Sequence, residues 1–322
     1  MDWQPAAEPD ILRLRARLLA RLRTFFAEQG VLEVDTPALS AAATPSPALA
    51  SFETCYHGPG GKRRLYLHTS PEFPMKRLLA AGSGPIYQVC KVFRDGEAGR
   101  LHNPEFTLLE WYRPGFGATE LMAETEALLR HLLAGIRSLP AFRSITYREL
   151  FRRFAGVDGL EATVAELRQA LAGRGIEPPA GLPEDDPDPW RDLVLTTLVE
   201  PCLEGAWFVC DYPASQAALA RLRSDDPAVA ERFELYLDGV ELANGFVELG
   251  DAVEQRARFE AENAARRAAG LPEMPLDERL LAALEAGLPD CAGIALGFDR
   301  LLMYAAGRAD IREVLAFPFE RA

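Results

Sequence analysis

The segment RFELYLDGVELANGFVEL, residues 232–249, constrains the fold more than any other part of the chain. Two stretches that alternate apolar and polar residues flank Asp238-Gly239, and this dipeptide is the strongest short-range signal for a two-residue hairpin turn. The pattern predicts antiparallel strands over 233–237 and 240–249. Antiparallel strands with helices interspersed indicate an α+β domain rather than a doubly wound parallel sheet.

Hydrophobic periodicity predicts the other elements. Apolar residues at helical spacing indicate a helix over 11–26, and Gly30 is placed to cap its C-terminal end. The further predicted elements are a strand at 31–34, a strand at 64–68, a helix at 72–81, strands at 86–92 and 106–112, a helix at 119–136, two helices within 145–172, a strand from 207, helices at 251–269 and 277–286, and a strand and helix within 293–306. The Pro-, Gly- and Asp-rich stretch 173–190 is a predicted surface loop. We expect one domain over 1–322, with a helical insertion at about 119–200.

Net charge limits the binding partners that the chain can have. Its formal net charge of −13 argues against a broad nucleic-acid surface, because such surfaces bind phosphates through clustered Lys and Arg. The arginines between residues 13 and 23 are interpreted as a solvated helix face. No run approaches the ~18 apolar residues of a membrane span, and the start MDWQPAAEPD lacks the pattern of a signal peptide. We expect a cytoplasmic protein that binds no membrane.

The cysteines carry no recognisable motif. The chain has five of them, and no two form a C-x-x-C pair. An odd number without paired spacing predicts neither a disulfide framework nor a zinc site. We therefore expect reduced, mostly buried thiols.

A first candidate site lies in the segment VCKVFRDGEAGRLHNPEFTLLEWYR, residues 89–113. Arg94 follows a β-branched and aromatic run, so we place it at a strand end, where its planar fork could hold a phosphate. A structural salt bridge would explain a single arginine equally well. His102 and Asn103 lie in the turn that follows, where they could contact phosphate or ribose, or form only loop hydrogen bonds.

The returning strand of this segment carries a second pair of polar groups. Glu110 and Tyr112 share one face by the two-residue repeat of a strand, while Trp111 points the other way into packing. A carboxylate beside a phenol can receive an ammonium group. This strand is therefore a candidate site for a substrate amine.

The hairpin carries three glutamates at seven-residue spacing. Glu234 and Glu241 can approach each other across the turn, and close carboxylates favour a shared cation such as Mg²⁺ beside ATP phosphates. The alternative is an exposed acidic hairpin. Asn244 and Gly245 indicate close approach of a ligand to the backbone. Glu248 is a further candidate partner for an amine.

The segment GIALGFDRLLM, residues 293–303, predicts an anion site. Gly293, Gly297 and Arg300 pass from a strand into a helix, so backbone amides and the positive helix end would face an anion. Glycine spacing alone is weak evidence. The value of this segment is that it accompanies the two others in one chain.

Together these segments resemble the motifs of class II aminoacyl-tRNA synthetases. The segments at 89–113 and 293–303 are similar to motifs 2 and 3, and FFAEQGVLEVDTPAL resembles motif 1. The similarity is closest to the catalytic core of the lysyl-tRNA synthetases and extends from about residue 12 to residue 317. It implies an antiparallel sheet flanked by helices, ATP and Mg²⁺ as cofactors, and a homodimer formed through motif 1.

Only about ten residues precede the first helix, whereas a lysyl-tRNA synthetase carries an anticodon-binding barrel of about a hundred residues there. With TSPEFPMKRLL and PASQAAL, this short form resembles the members of the family that attach (R)-β-lysine to a lysine of translation elongation factor P. The resemblance implies these two partners, and no tRNA. Two alternatives stay open: a truncated enzyme that charges tRNA or a small amine, and a paralogue that only binds ligand.

The resemblance also assigns roles by position. It implies catalytic roles for Arg94 on the α-phosphate and Arg300 on the γ-phosphate. The implied ATP-binding residues are Arg94, Asp95, Gly96, His102, Asn103, Phe106, Glu241, Leu242, Gly297 and Arg300. The implied substrate-binding residues are Ser70, Pro71, Glu72, Glu110, Tyr112, Glu248 and Ala295. Glu234 and Glu241 would hold Mg²⁺, and the adenine would stack between Phe106 and Arg300.

Two positions depart from the family pattern. Gly96 stands where the family usually has a glutamate that contacts the adenine edge, and Glu97 could replace it only if the loop shifts. Ala295 stands where the lysyl-tRNA synthetases have glycine. An added methyl group in a close-packed amino-acid pocket would move the substrate backbone, which fits a β-amino acid.

Overall fold

The computed structural model describes residues 3–322, and the chain forms two compact units. The first unit contains the residues up to Gly115 together with Ala127–Arg137 and Gly250–Ala322. The second contains Phe116–Glu126 and Ser138–Leu249. The predicted helical insertion therefore falls mainly in the second unit, together with strands. The division into one domain with an insertion stays a prediction.

The described chain contains α-helices and β-strands in mixed order. The helices are α1 (Pro9–Glu28), α2 (Glu72–Ala80), α3 (Ala118–Leu133), α4 (Tyr147–Phe154), α5 (Val164–Ala172), α6 (Asp188–Val194), α7 (Ala252–Ala268), α8 (Glu278–Gly287) and α9 (Phe298–Ala306). The strands are β1 (Leu32–Glu33), β2 (Leu39–Ser40), β3 (Glu53–Tyr56), β4 (Arg63–Leu67), β5 (Ile86–Phe93), β6 (Glu105–Pro114), β7 (Phe142–Thr146), β8 (Ala206–Pro213), β9 (Val229–Leu237), β10 (Val240–Val247) and β11 (Cys291–Gly297). A π-helical turn, Leu195–Val199, follows α6.

The strands of the first unit lie in the order β1-β5-β6-β11. β1 runs parallel to β5, and the other neighbours are antiparallel. A separate small sheet has the order β2-β4-β3. In the second unit the order is β10-β9-β8-β7, antiparallel except where β7 runs parallel to β8. These mostly antiparallel sheets with flanking helices confirm the predicted α+β class.

The core of the first unit forms where α1 packs on the sheet. Leu18, Leu22 and Phe26 recur on one side of the helix and are fully buried. The Phe26 ring stacks on Tyr87 of β5 at 4.4 Å and meets Trp111 of β6 edge-on at 5.6 Å. Aromatic pairs in these arrangements add about 0.5–1.5 kcal/mol beyond their buried area. The contact fixes α1 against the back of the strands that carry the first candidate site.

The core of the second unit lies between its strands and helices α4 to α6. Tyr147 stacks on Phe151 at 4.4 Å and contacts Tyr212 of β8 at 4.8 Å. Thr146 and Glu149 form a reciprocal capping box that starts α4, a device that satisfies two otherwise unpaired amides. β7 therefore ends directly where α4 begins.

The sequence pattern predicted most elements and missed the short strands β2, β3 and β7. The strand expected at 31–34 is reduced to Leu32–Glu33, and the expectation for 145–172 missed β7, which occupies Phe142–Thr146. The predicted loop 173–190 ends as α6 begins at Asp188. Across residues 3–322, no helix combines the length and the apolar character that crossing a bilayer requires.

Candidate active site

Three strands of the first unit form the floor of the first candidate site. Glu110 of β6 lies opposite Gln88 of β5 on one side and opposite Ala295 of β11 on the other. Because residues opposite each other in a ladder share a face, these side chains project to the same side. Tyr112 follows two residues later on that face, and Trp111 is fully buried on the other. The predicted alternation along β6 is confirmed.

Glu110 is the central polar group of this face. Its carboxylate accepts hydrogen bonds from Ser70 Oγ at 2.7 Å and from Tyr112 Oη at 2.7 Å. The side chain is 2% exposed. Burial, with the negative charge of Glu72 nearby, raises the pKa of Glu110 to about 7. A cation that binds beside such a buried carboxyl group would favour its ionised form and lower its pKa.

The start of α2 brings three further predicted residues to Glu110. Ser70 Oγ accepts from the Glu72 amide at 3.0 Å while it donates to Glu110, and Pro71 is the residue before the helix. Glu72 Oε1 lies 2.6 Å from the ammonium of Lys76, one helical turn later and 1% exposed. Sequence reasoning missed Lys76, although a lysine four residues after a glutamate on a helix is a signal for an ion pair.

Arg94 lies just beyond β5, and its guanidinium makes only weak contacts. Its carbon Cζ lies 5.1 Å from the centre of the Phe106 ring, and its Nη1 is 3.8 Å from Glu97. The second distance is too long for a hydrogen bond. Its buried Nε has no hydrogen-bond partner in the described chain. A planar donor group held in this way suits a bidentate anion such as a phosphate.

Arg300 and His102 form a pair beside this loop. Arg300 Nη2 donates to His102 Nε2 at 2.8 Å, and its Nε donates to the Leu101 carbonyl at 3.3 Å. Desolvation, followed by the positive charge of Arg300, lowers the pKa of His102. The imidazole is therefore neutral at pH 7 and accepts the arginine proton at Nε2. This pair fixes the direction of the Arg300 side chain.

Asn103 has a structural role in this geometry. Its Nδ2 donates to the Glu105 carbonyl at 2.6 Å, and its Oδ1 accepts from the Phe319 amide at 3.0 Å. Both ends of the carboxamide are engaged by the main chain. Asn103 thus holds the loop and the C-terminal segment together. Its predicted contact with ATP stays a prediction.

The turn after Arg94 shows the departure at Gly96. Gly96 has a φ of +78°, a conformation that suits glycine. The Asp95 amide donates to the Ala50 carbonyl at 2.8 Å, which fixes the turn. The Glu97 carboxylate is directed toward Arg94. The predicted substitution of Glu97 for the missing glutamate stays a prediction.

Gly297 is the N-cap residue of α9, and no side chain caps this end of the helix. Since the first amides of a helix have no partner within it, this end can face an anion, as the glycine pattern predicts. Asp299 in the same turn is 1% exposed and accepts from the Thr107 amide at 2.6 Å and from Arg15 of α1. Arg15 also donates to Thr107 Oγ1 at 2.5 Å. The interpretation of Arg15 as part of a solvated face is wrong, because Asp299 draws it into the unit.

In the second unit, a bulge determines which way the hairpin glutamates point. Asp238 and Gly239 have φ angles of 48° and 77°, as the predicted two-residue turn requires. Glu241 then lies opposite Tyr236, but the register shifts before Ala243. Leu242 is the extra residue of the bulge, and it is 4% exposed.

The bulge explains the odd spacing of the glutamates. Strict alternation would send Glu241 and Glu248 to opposite faces, because they are seven residues apart. One inserted residue restores a common face. Asn244, opposite Glu234 in the shifted register, lies on that face as well. Glu248 directly follows β10, where it forms a bridge with Ala220, and continued alternation places it on the same side. The second candidate group therefore consists of Glu241, Asn244 and Glu248.

Glu234 does not fit the predicted role of magnesium ligand. Its Oε2 accepts from Tyr212 and Tyr236, each at 2.6 Å. Its Oε1 accepts from Arg232 Nη2 at 2.5 Å and from Asn244 Nδ2 at 3.1 Å. Four protein donors saturate the carboxylate, which leaves no lone pair directed at a cation. The described residues hold no group of three or more His, Cys, Asp or Glu arranged to bind a metal ion.

Gly245 packs closely against the ring of Phe233. A Cβ atom at this position would lie 2.4 Å from the Phe233 ring, the residue opposite it in the ladder. This packing explains the glycine, and the expected close approach of a ligand to the backbone stays a prediction. The ring of Phe233 requires a residue without a side chain there.

Comparison with known proteins places this arrangement in a family. The sequence model of the family tRNA synthetases class II (D, K and N) matches residues 1–321. The chain belongs to the class II tRNA synthetase family. This class II chain is 51% identical to the elongation factor P–(R)-β-lysine ligase of Proteus mirabilis (strain HI4320), over 100% of this chain and 98% of that protein. It is 52% identical to the elongation factor P–(R)-β-lysine ligase of Vibrio cholerae serotype O1, over 100% and 99%.

The family membership confirms the resemblance drawn from motifs 1 to 3. Within this class II chain, the first unit brings together the predicted substrate residues Ser70, Pro71, Glu72, Glu110, Tyr112 and Ala295. The same unit carries the predicted phosphate-binding residues Arg94 and Arg300. Glu241, Leu242 and Glu248 lie in the second unit. Their individual roles stay predictions.

Proposed function

We propose that this chain is an ATP-dependent ligase that activates (R)-β-lysine and transfers it to a lysine of translation elongation factor P. The identity of 51% and 52% to full-length ligases with that name supports the assignment. The observation that carries it in the structure is the buried Glu110 carboxyl, hydrogen-bonded by Ser70 and Tyr112. Such a group suits a substrate with an ammonium.

The first step joins the substrate carboxylate to ATP. A carboxylate oxygen forms a bond to the α-phosphorus, the bond from this phosphorus to the bridging oxygen breaks, and pyrophosphate leaves. Arg94 is assigned to the α-phosphate because its guanidinium is weakly engaged and lies at the end of β5. Arg300, oriented by neutral His102, is assigned to the γ-phosphate. Positioning and charge neutralisation supply most of such a barrier reduction.

The second step moves the acyl group to the protein acceptor. The amine of the acceptor lysine attacks the acyl carbon of the adenylate, its bond to the phosphate oxygen breaks, AMP leaves and the amine releases a proton. Glu110 and Glu72 keep the cationic substrate in place through both steps. Glu248 is assigned to a substrate amino group, and Glu241 with the main chain of Leu242 to the nucleotide.

Several finer assignments belong to this proposal. They are homodimerisation, a cytoplasmic location and the absence of a tRNA substrate. The resemblance supports all three, and the net charge of −13 also argues against tRNA binding. Mg²⁺ accompanies ATP in the proposal with Glu241 as a ligand, and the four donors on Glu234 argue against Glu234 as a second ligand. No step above depends on the ion.

The function is tested by pyrophosphate exchange with (R)-β-lysine and with L-lysine, followed by addition of elongation factor P or tRNA. We expect exchange with (R)-β-lysine and label on the factor. Label on tRNA would identify a minimal synthetase. No exchange with either amino acid would identify a binding-only paralogue and overturn the proposal.

Arg94→Ala tests the assignment of the phosphate-binding arginine. Loss of one charge-stabilising donor group typically lowers kcat by about 10²–10³, and we expect a loss of exchange of this order with an unchanged Tm. Arg100→Ala, in the same loop, is the matched control, because Arg100 is exposed and its side chain donates to the Ala309 carbonyl at 3.1 Å, away from Arg94 in sequence. Normal exchange in Arg94→Ala would contradict the assignment.

A further inference from the structure

The buried polar cluster on β8, β9 and β10 has a geometry that only one strand register permits. We call it the Glu234 network and define it as Tyr212, Arg232, Glu234, Tyr236 and Asn244. Glu234 is 5% exposed and receives all four of the other side chains. Arg232 Nε donates in turn to Asn244 Oδ1 at 3.3 Å. Asn244 is thus held at both ends of its carboxamide.

The turn by itself would favour a different pairing. It places Val240 opposite Leu237 and Glu241 opposite Tyr236. Continued without a bulge, this register would pair Ala243 with Glu234 and turn Asn244 to the other face. Both hydrogen bonds of Asn244 would then be lost. The observed pairing of Asn244 with Glu234 exists only because Leu242 is bulged out.

A packing contact requires the same register. Gly245 lies opposite Phe233, and the Phe233 ring occupies the place of a Cβ at that position. In the pairing without a bulge, Asn244 would lie opposite Phe233 and its side chain would collide with the ring. The polar network on one face and the ring on the other therefore select the same arrangement.

Arg232 ties this register to the rest of the second unit. Its Nη1 donates to the Gln216 carbonyl at 2.6 Å, and its guanidinium lies over the Tyr212 ring at 4.5 Å. Gln216 Nε2 donates to Asp192 on α6 at 2.8 Å. Glu241 lies opposite Tyr236, two residues from Glu234, and so shares the face of the network. Its negative charge is among the causes that raise the pKa of Arg232.

We infer that Arg232 and Glu234 are positioning residues, which fix the bulged register of β10 and thereby bring Glu241, Asn244 and Glu248 to one face. This inference rests on the proposed function for the roles of Glu241 and Glu248. The position of these residues on one face does not depend on the proposed function. A register without the bulge would leave the glutamates on opposite faces and disrupt any ligand site that uses both.

Hydrogen–deuterium exchange of the β10 amides tests the placement without any activity. The variants are Arg232→Met and Glu234→Gln, and the control is Arg191→Met. Arg191 matches Arg232 because it also pairs with one carboxylate, Asp188 at 2.7 Å, and one carbonyl, Leu160 at 2.7 Å, in the same unit. We expect at least tenfold faster exchange over 243–247 in the two variants, and no change there in the control.

Pyrophosphate exchange, measured below the Tm of each variant, tests the consequence for ligand binding. We expect the KM for ATP or (R)-β-lysine to rise tenfold or more in Arg232→Met and Glu234→Gln, and to stay within twofold of the wild type in Arg191→Met. Tyr236→Phe removes a single hydroxyl and should shift both readouts in the same direction by less, so the test survives if a stronger variant does not fold.

A magnesium titration separates positioning from metal binding. If Glu234 were a ligand, Glu234→Gln would raise the Mg²⁺ concentration for half-maximal rate and Arg232→Met would not. Positioning predicts that the two variants behave alike. Unchanged β10 exchange and unchanged KM in both variants would overturn the inference. A wild-type chain without activity would instead defeat the proposed function, and amide exchange would still decide the placement.

Discussion

A carboxyl group that is 2% exposed, as Glu110 is, loses its hydration on folding and is then harder to ionise. Burial and the adjacent Glu72 raise its pKa from an ordinary value near 4.5 to about 7. The hydrogen bonds from Ser70 and Tyr112 oppose this change without cancelling it. A substrate ammonium would lower the pKa of Glu110 further, because its positive charge stabilises the carboxylate anion.

The raised pKa of Glu110 makes stability depend on pH. The pKa is higher in the folded state, so the unfolded state ionises first as pH rises, and stability present at low pH is lost through pH 7. A change of this size corresponds to about 3 kcal/mol between pH 4 and 8. We expect Glu110→Gln, which does not titrate, to lose less Tm than the wild type between pH 5 and 8. Parallel Tm curves for the two proteins would refute this role of burial.

Ala295 is the residue at which discrimination between substrates is expected. It lies opposite Glu110 in the ladder, so its methyl group is beside the proposed ammonium site. One methyl group in such a pocket is worth about 1–3 kcal/mol between substrates. Ala295→Gly should improve activation of L-lysine relative to (R)-β-lysine by tenfold or more in kcat/KM. An unchanged ratio would assign the preference to other residues.

At the scale of elements, α9 is placed by a buried ion pair. Asp299 accepts from Arg15 of α1 and from the Thr107 amide of β6, and it directly precedes Arg300. A charged group that loses its partner inside a protein costs about 3–5 kcal/mol. The helix that carries Arg300 is therefore fixed against two other elements of the first unit.

Asp299→Asn tests this anchor. The change removes the charge opposite Arg15, so we expect a loss of about 2–4 kcal/mol in the free energy of unfolding and a raised KM for ATP. The control is Glu278→Gln, which breaks the exposed pair with Arg256 and should alter neither value measurably. Denaturant unfolding and pyrophosphate exchange measure the two effects. A stability loss with an unaltered KM would restrict Asp299 to a structural role.

Prediction from the sequence succeeded where an element has a strong internal period. The spacing of Leu14, Leu18 and Leu22 indicated α1, and Asp238-Gly239 indicated the hairpin turn that the structure confirms. Prediction failed where tertiary contacts determine the local structure or the position of a side chain. β7 is short and ends at a helix cap, and Arg15 is drawn inward by Asp299, which is far away in sequence.

The bulge at Leu242 is the clearest limit of sequence reasoning at the site. Period-two alternation cannot indicate an extra residue, since the network that stabilises it comes from three strands. The glutamates of the hairpin were recognised, but the hydrogen bonds that surround Glu234 were not predicted. Its four donors, Tyr212 among them, become visible only in the folded chain.

At the scale of the whole molecule, charge bears on the acceptor. A net charge of −13 repels a polyanion such as tRNA, whose binding is driven by Lys and Arg side chains that neutralise phosphates and release their counterions. A protein acceptor carries no such uniform phosphate charge. The acidic composition therefore agrees with modification of elongation factor P and gives the tRNA arm of the labelling experiment its expected negative outcome.

Dimerisation is expected through the motif 1 segment. β1 forms the edge of the described sheet of the first unit, and Leu32 within it is 57% exposed. Exposed apolar side chains on an edge strand are costly unless a partner covers them. We expect light scattering to give twice the chain mass for the wild type and the chain mass for Leu32→Glu. Val253→Glu, at an apolar residue that is 80% exposed on α7, should remain dimeric. A monomeric wild type would contradict the prediction that a partner subunit covers Leu32.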